Sequence, residues 1–447
     1  MTHTPTDCPA AAYTCWPLRG GGQGNPEDQV ETFSQAAPKK LRYVSGSMRV
    51  LMLTQFYPPG GGGQERHVRD LAHALAGRGH EVELATIATG GDVGTSMDGP
   101  VTVHRLHTTA QRVPAIYQVS SRPHAPPLPD PELRAGLTRL LVGHRFDVAH
   151  AHDWVVNSLI GPARRTGTPV ILTLHDYSHV CATKRMMRGK VVCAGPAPVA
   201  CIRCASAQYG LVVGPAVVLA NLTGRYSRQR SVATFVPVSP IVAERSDVIE
   251  SDEYEIIPNF IPDDILVDPA SLDSVDRFDG PMLFVGDVTL DKGVGVLFAA
   301  YRELPHAPPL VLAGAVQRDA PVDRPPGIEL LGLTHPDVVL KLMRAASMVI
   351  VPSIVLDACP TVVLEAMAAG RPVVASSSGG IVDLVEDGVT GILVPPENPS
   401  ALAKALTSLI EDRELAMAMG RKGLERVRAY TATAIAGRVE DLYRRVV

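Results

Sequence analysis

No stretch of this 447-residue chain carries an uninterrupted apolar run approaching the ~18 residues that a bilayer-spanning helix requires. The longest candidate, Leu211–Leu222, contains Gly214 and Pro215 and meets Asn221, so it reads as a buried helix or strand. A peripheral attachment at the inner face of a membrane leaves a weaker signature and stays compatible with the sequence. Charge of one sign is also lacking. The 42 Lys and Arg against 46 Asp and Glu leave a formal net charge of −4. That balance argues against nucleic acid as a partner, since such binders concentrate basic residues. The amino terminus has neither the basic start nor the apolar run of a secretory signal, which predicts a cytoplasmic chain in a reducing compartment.

What is present is globular. An apolar content of 46% over this length predicts two or three domains, each able to bury its own core. Residues 1–47, rich in Pro, Gly, Thr and Gln and without periodicity, are expected to be a disordered extension, and Met48 is expected to be the natural start. From Met48 onward, short runs that are apolar on both faces alternate with helical patterns. Strands are expected at Val50–Thr54, Glu81–Ile87, Val101–Leu106, Val148–His150 and Val170–Leu174. After a loop-like stretch at Asn259–Gly280 they resume at Met282–Val285, Leu310–Ala313, Ile328–Leu331, Met348–Val351, Val373–Ala375 and Ile392–Val394. Strands buried on both faces belong to parallel sheets covered by helices. Two successive βα series therefore predict an α/β chain of two doubly wound, Rossmann-like domains facing across a cleft, with ligands beyond the carboxyl ends of the strands.

The loops at those strand ends carry the candidate chemistry. Between the first strand and the helix predicted over Glu65–Arg78 lies Gly60-Gly61-Gly62-Gly63, which lets backbone approach a ligand while the helix terminus favours an anion; a floppy turn is the alternative. Glu65 and Arg66 stand where a third glycine of G-x-G-x-x-G would fall, which disfavours a dinucleotide fold. His175-Asp176 follows another predicted strand; a histidine there contacts a substrate hydroxyl or is simply structural. The segment Val351–Gly370 places Asp357 in a loop and Glu365 inside a helix that begins near Thr361. Carboxylates so placed accept paired hydrogen bonds from sugar or ribose hydroxyls, or else serve only as a loop cap and a helix-face acid.

Seven cysteines are present, and Cys181, Cys193, Cys201 and Cys204 form C-x11-C-x7-C-x2-C. In a reducing compartment such clustering points to metal, and four thiolates would close a structural zinc site. Iron–sulfur ligation, free thiols or a chance pair are the alternatives.

Taken in order, these motifs resemble the retaining, GT-B-fold glycosyltransferases of family four, from Met48 to about Arg428. The resemblance rests on Gly62-Gly63-Gln64-Glu65, Gly79-His80-Glu81-Val82, His175-Asp176, Val238-Ser239, Ile257-Pro258-Asn259, Val285-Gly286 with Lys292-Gly293, Pro352-Ser353, the acid pair, Gly379-Gly380 and Asp387–Gly391. It implies an acceptor-side domain over 48–258 with a Cys-rich insertion at 181–204 like that of some family members. It further implies a nucleotide-sugar-binding domain over 259–425 and a C-terminal helix, 426–447, packing back on the first domain.

The resemblance also implies individual roles. Gly62 and Gly63 would lie beside the donor diphosphate, His175 would touch the transferred sugar, and Lys292 would neutralise the leaving group. Asp357 would hold sugar hydroxyls, the amides around Cys359, Pro360 and Thr361 would contact sugar or phosphate, and Glu365 would bind the ribose. No cofactor is needed for that transfer. Two positions depart from the pattern. Asp357 stands where the family usually has Glu, and Asp287 replaces the family's phosphate-binding Arg, so another arginine supplies that charge or the donor is held differently. The implied activity is a hexosyl- or other glycosyltransferase that uses a nucleotide-diphosphate sugar and a glycan, lipid-linked or small-molecule acceptor. A sugar-nucleotide epimerase, a non-catalytic sugar-nucleotide binder and a zinc-stapled interaction protein are the alternatives.

Overall fold

After Arg49, every residue of the first strand, β1 (Arg49–Leu53), is buried, and its alternation sorts the surrounding elements. Val50 and Met52 pack with Val68, Leu71 and Leu75 of α1 (Gly63–Gly77), whereas Leu51 and Leu53 pack with Leu133 and Leu137 of α2 (Pro131–Gly143) and Leu159 of α3 (Val156–Thr166). The protein is described by a computed structural model over residues 46–447, apart from 59–61, 90, 113–124, 190, 250–252 and 273–277. The extension expected over 1–47 therefore falls outside the described residues up to position 45, as does the question of Met48 as the start.

The remaining strands of the first half are β2 (Glu81–Ile87), β3 (Gly94–Asp98), β4 (Val101–Leu106), β5 (Val148–His152), β6 (Val170–Leu174), β7 (Met187–Arg188), β8 (Val191–Val192) and β9 (Thr234–Pro237). Six of them join β1 in a seven-stranded sheet ordered β3-β4-β2-β1-β5-β6-β9, parallel except where β3 runs antiparallel along β4 at the edge. The short pair β7–β8 stands apart, beside helices α4 (Pro198–Tyr209) and α5 (Val213–Ser231), and α6 (Pro240–Arg245) follows β9.

In the second half, β10 (Met282–Val285), β11 (Leu310–Ala313), β12 (Ile328–Gly332), β13 (Met348–Val351), β14 (Val373–Ser376) and β15 (Gly391–Val394) form a wholly parallel sheet ordered β12-β11-β10-β13-β14-β15. Helices α7 (Val294–Arg302) and α11 (Pro399–Glu411) cover one face through Leu297, Phe298, Leu402 and Leu406. The other face carries α8 (Pro336–Ala345) and α9 (Thr361–Ala368), the latter through Val363, Leu364 and Met367. The chain closes with α10 (Ile381–Leu384), α12 (Arg413–Val427) and α13 (Ala432–Val446). These are the two Rossmann-like layers of a GT-B fold.

The segment expected to end the chain as one helix over 426–447 is broken by the turn Arg428–Tyr430. The helix α13 that follows returns to the first sheet, where Ile435, Val439 and Tyr443 join Val50 and Met52. The Tyr443 hydroxyl meets His150 Nδ1 at 2.7 Å, and Glu440 pairs with Arg78 of the α1 turn at 2.5 Å.

The expectation of a buried element at Leu211–Leu222 needs correction. The segment opens α5, but Leu211, Val212 and Leu219 are 85%, 86% and 65% exposed. The inward stripe of α5 is instead made mostly of small and polar residues. Buried Arg228 donates to Asn157 Oδ1, Asn221 Oδ1 and the His179 carbonyl, and only Val218 joins Ala182 and Ala205 in a small apolar cluster against α4. Among the described residues, no helix is long and apolar enough to cross a membrane.

The docking of α13 gives a test. Tyr443→Phe leaves a buried histidine nitrogen without its partner and should lower unfolding stability by about 1–3 kcal/mol in urea denaturation; unchanged stability would show that the hydroxyl contributes nothing.

Candidate active site

Both sheets present their carboxyl-terminal loops to one another, and the residues singled out from the sequence fall on those loops. Gly62 caps α1, and its amide donates to the Glu65 carboxylate at 2.5 Å, which leaves Gly63 in the first turn of a 15-residue helix. His175 and Asp176 follow β6, and Pro360 caps α9, which begins at Thr361. Gly63, His175, Cys359 and Thr361, together with Gln64, His67, Asp176 and Asn259, line a single cavity of about 230 Å³. Asn259 ties its two walls by donating from Nδ2 to the Cys359 carbonyl at 2.7 Å. The Cys359 thiol is buried and pushed up to about 12 by desolvation, so it is a neutral wall rather than a nucleophile.

Lys292 and Asp357 come together on neighbouring loops of the second sheet. Lys292 Nζ stands 2.5 Å from Asp357 Oδ1, while Asp357 Oδ2 is buried with no hydrogen-bond partner. A desolvated acceptor with no donor is costly unless something supplies one, so Oδ2 is set to receive a hydroxyl. The geometry is enforced by glycine. Gly293 has φ +75°, and a Cβ there would sit 1.8 Å from the Pro352 carbonyl oxygen. Gly379, at φ +58°, leaves no room for a Cβ against the Asp357 carbonyl, and Gly380 donates its amide to that same oxygen at 2.7 Å.

One turn along α9 from Thr361, Glu365 reaches a second cavity of about 1090 Å³ that also takes in Arg66, Asp287, Gly314, Thr334 and His335. Burial raises the Glu365 carboxyl above its ordinary range, opposed by Arg66 and by a Thr361 hydrogen bond. Asp287 is exposed on this cavity and brings no positive charge. Arg69 and Arg105 also line it, but Arg69 is held by Asp98 at 2.7 Å and Arg105 by Asp92 at 3.1 Å. Arg66, which meets Glu365 at 3.9 Å, is the guanidinium left to face an incoming anion.

Behind the smaller cavity stands a column of imidazoles. His152 Nδ1 lies 2.9 Å from His175 Nε2, His150 stacks on His152 with ring centres 4.5 Å apart, and His67 meets His175 edge-on at 4.8 Å. Burial pushes all four below the ordinary histidine range, His150 to about 3, with each neighbouring imidazole adding to the depression in His67, His150 and His152. For His175, Asp153 and Asp176 partly oppose that burial. The imidazole at the cavity is therefore neutral and can take or give one hydrogen bond.

Beside it, Asp153 adopts φ +71°, a strained backbone for a non-glycine residue, and its carboxylate accepts from Gln64 Nε2. Lys184 lies over the Trp154 ring; burial works to lower its pKa, but Asp153 and Asp176 outweigh it and hold the ammonium charged. Sequence reasoning missed Arg66, His67, His152, Asp153 and Lys184 as site residues. The first two sit one turn into α1, and His152-Asp153 terminates β5 just past the strand expected at Val148–His150, so the rule of ligands beyond strand ends reaches them.

The cysteines answer differently. Cys181 Sγ turns to Thr183 Oγ1 at 3.2 Å, Cys193 donates to the Gly195 carbonyl at 3.3 Å, and Cys201 accepts from the Ala197 amide at 3.3 Å, while Cys204 sits one turn further along α4. Burial raises the Cys201 thiol, and the other three act on it in the same direction, so the four are neighbours as thiols. Among the described residues, no group of three or more His, Cys, Asp or Glu side chains converges as metal donors. The zinc site expected at Cys181, Cys193, Cys201 and Cys204 is therefore not supported.

Comparison with known proteins adds two family models. One described as glycosyltransferase family 4 matches residues 61–264, and one described as glycosyl transferases group 1 matches residues 281–412. A D-inositol 3-phosphate glycosyltransferase from Xylanimonas cellulosilytica is 28% identical over 401 residues, covering 82% of this chain and 88% of that protein. A sucrose-phosphate synthase from Thermosynechococcus elongatus superposes with a TM-score of 0.67 at 20% identity, over 89% of this chain and 98% of the other. HepE of Anabaena, solved in complex with UDP-glucose, gives a TM-score of 0.60 at 17% identity, over 88% and 98%.

The imidazole column makes stability pH-dependent. Each histidine held neutral in the fold is still protonated in the unfolded chain below its ordinary value of 6.5, so stability is complete above that pH and falls as pH drops below it. Raised Asp176 and Glu365 work in the opposite sense as pH falls. The melting temperature should drop between about pH 6.5 and pH 5, each imidazole costing up to about 1.4 kcal/mol per pH unit; a flat profile over that interval would contradict the neutral column.

Proposed function

The chain belongs to the group 1, family 4 glycosyltransferases of GT-B fold, and from that premise we propose that it moves a sugar from a nucleoside-diphosphate donor to an acceptor hydroxyl with retention at the anomeric carbon. The observation that carries this reading is the Lys292–Asp357 contact, with one carboxylate oxygen unpartnered, two residues before the cavity-lining Cys359.

On this reading the nucleoside occupies the larger cavity, where Glu365 accepts hydrogen bonds from the ribose hydroxyls. The diphosphate lies between the cavities, at the first-turn amides of α9, with Lys292 on its leaving oxygen. The sugar fills the smaller cavity, with hydroxyls on Asp357 Oδ2 and on neutral His175. Arg66 supplies the positive charge that Asp287 does not. The UDP-glucose bound by HepE supports the donor class.

The bond from the anomeric carbon to the diphosphate oxygen breaks as the acceptor oxygen bonds to that carbon on the same face. The acceptor proton passes to the departing diphosphate, and Lys292 offsets the charge that develops there. Front-side attack fits the side chains around the smaller cavity, since the Cys359 thiol is protonated and the acids Asp153 and Asp176 are engaged with Gln64, Ser178 and Lys184.

A nucleotide-sugar panel scored by thermal shift identifies the donor, because a ligand that binds only the folded state raises the melting temperature. With that donor, Lys292→Ala should cut turnover by on the order of 100- to 1,000-fold without loss of fold. Glu365→Ala and Arg66→Ala should chiefly raise the donor KM. Wild-type rates in Lys292→Ala and Glu365→Ala would refute the site, and a product of inverted configuration would refute retention.

A further inference from the structure

Outside the two cavities already described, a third of about 710 Å³ opens between the β7–β8 hairpin and α4. Its α4 wall is built from one helix face, on which Ala200, Arg203, Cys204, Ala207 and Gln208 recur at the spacing that brings side chains into register. A face packed on its neighbours ordinarily carries large apolar residues; here alanines leave room and polar groups fill the rest. The hairpin contributes Arg188 and the turn before it Arg185, so with Arg203 three guanidinium groups line the cavity, and no acidic residue is among its described lining.

Two of the three arginines are not neutralised in place. Arg185 alone has an acid partner, Asp291, which lies across the cleft and immediately precedes Lys292. Arg188 and Arg203 form no ion pair among the described residues. Like charges gathered around a concave surface repel one another unless an anion enters, and the planar fork of arginine is shaped for phosphate oxygens. Position adds the second constraint. Through Arg185 the cavity adjoins the loop of Lys292, and through Thr183 and Lys184 it follows directly from the His175-Asp176 wall of the smaller cavity. Arg185 thus ties its wall to the loop that carries Lys292.

We propose that this cavity is the acceptor's phosphate subsite, and that the acceptor is a phosphate-bearing alcohol whose anion is gripped by Arg188 and Arg203 while its hydroxyl reaches the smaller cavity. Arg185 shares the anion and, through Asp291, couples acceptor occupancy to the Lys292 loop. The proposal rests on the transfer reading above. The phosphate belongs either to a soluble compound or to a lipid headgroup, and the exposed Leu211 and Val212 on the same α4–α5 lobe make the second source testable.

The test uses the full chain with its donor site filled by the nucleoside diphosphate that gives the largest thermal shift. Inorganic phosphate is then titrated by calorimetry, and flotation is measured with phosphatidylcholine vesicles with and without phosphatidic acid. Wild type should bind free phosphate, or float only with phosphatidic acid, and Arg188→Glu with Arg203→Glu should lose that binding by about ten-fold or more per charge-assisted contact removed. Arg188→Lys with Arg203→Lys, which keeps charge but not the fork, should fall between. Phosphate binding assigns a soluble acceptor, and flotation dependent on phosphatidic acid assigns a lipid one. Binding that the glutamate variants retain, or flotation equal on phosphatidylcholine alone, overturns the subsite. A protein that shifts with the nucleoside diphosphate but binds neither phosphate probe also overturns it and leaves the transfer reading standing. A protein that shifts with no nucleotide overturns the transfer reading instead.

Discussion

The ammonium of Lys292 held 2.5 Å from the carboxylate of Asp357 is the contact on which the candidate site turns. Both residues belong to loops at the carboxyl ends of adjacent parallel strands, β10 and β13, so the sheet itself sets their separation. Glycines at 293 and 379 let backbone come closer than any side chain would allow, and the loops cannot drift apart without breaking those contacts. The pair leaves one carboxylate oxygen buried and without a donor. A fold tolerates such an atom where a ligand completes it.

Around that pair the protein arranges its charges by contrast. The first domain meets the smaller cavity with neutral imidazoles whose burial keeps them unprotonated. The acids beside them are balanced by Lys184. Positive charge on the facing side comes from Arg66, carried by the first turn of the helix that the glycine loop begins. Arg66 and Asp287 thus line one cavity from the two opposite sheets.

Much of this was legible beforehand. Parallel strands buried on both faces announce themselves as short apolar runs, and β2, β4, β6, β10, β11 and β13 lie where the runs placed them. The loops after β1, β6 and β13 held Gly63, His175, Cys359 and Thr361, which share one cavity. Edge strand β3 escaped because Gly94–Asp98 is mostly exposed and carries no apolar alternation. The α4–α5 lobe misled for the converse reason: its apolar residues face outward while Asn221 and Arg228 face in, so hydropathy pointed the wrong way. The cysteine spacing suggested a common centre, yet no group of metal donors converges among the described residues, because spacing does not encode where the chain between the cysteines carries each sulfur. Arg66 and Asp153 went unnoticed because each matters only once the opposite wall of the cleft is in place.

The most direct measurement is a crystal structure with a non-transferable 2-fluoro analogue of whichever nucleotide sugar binds. This account requires diphosphate oxygens at Lys292 Nζ and the α9 amides, a sugar hydroxyl on Asp357 Oδ2, ribose hydroxyls on Glu365 and the Arg66 guanidinium turned towards the phosphates. A sugar lodged elsewhere, with Lys292 and Asp357 still closed on each other and untouched, would contradict it.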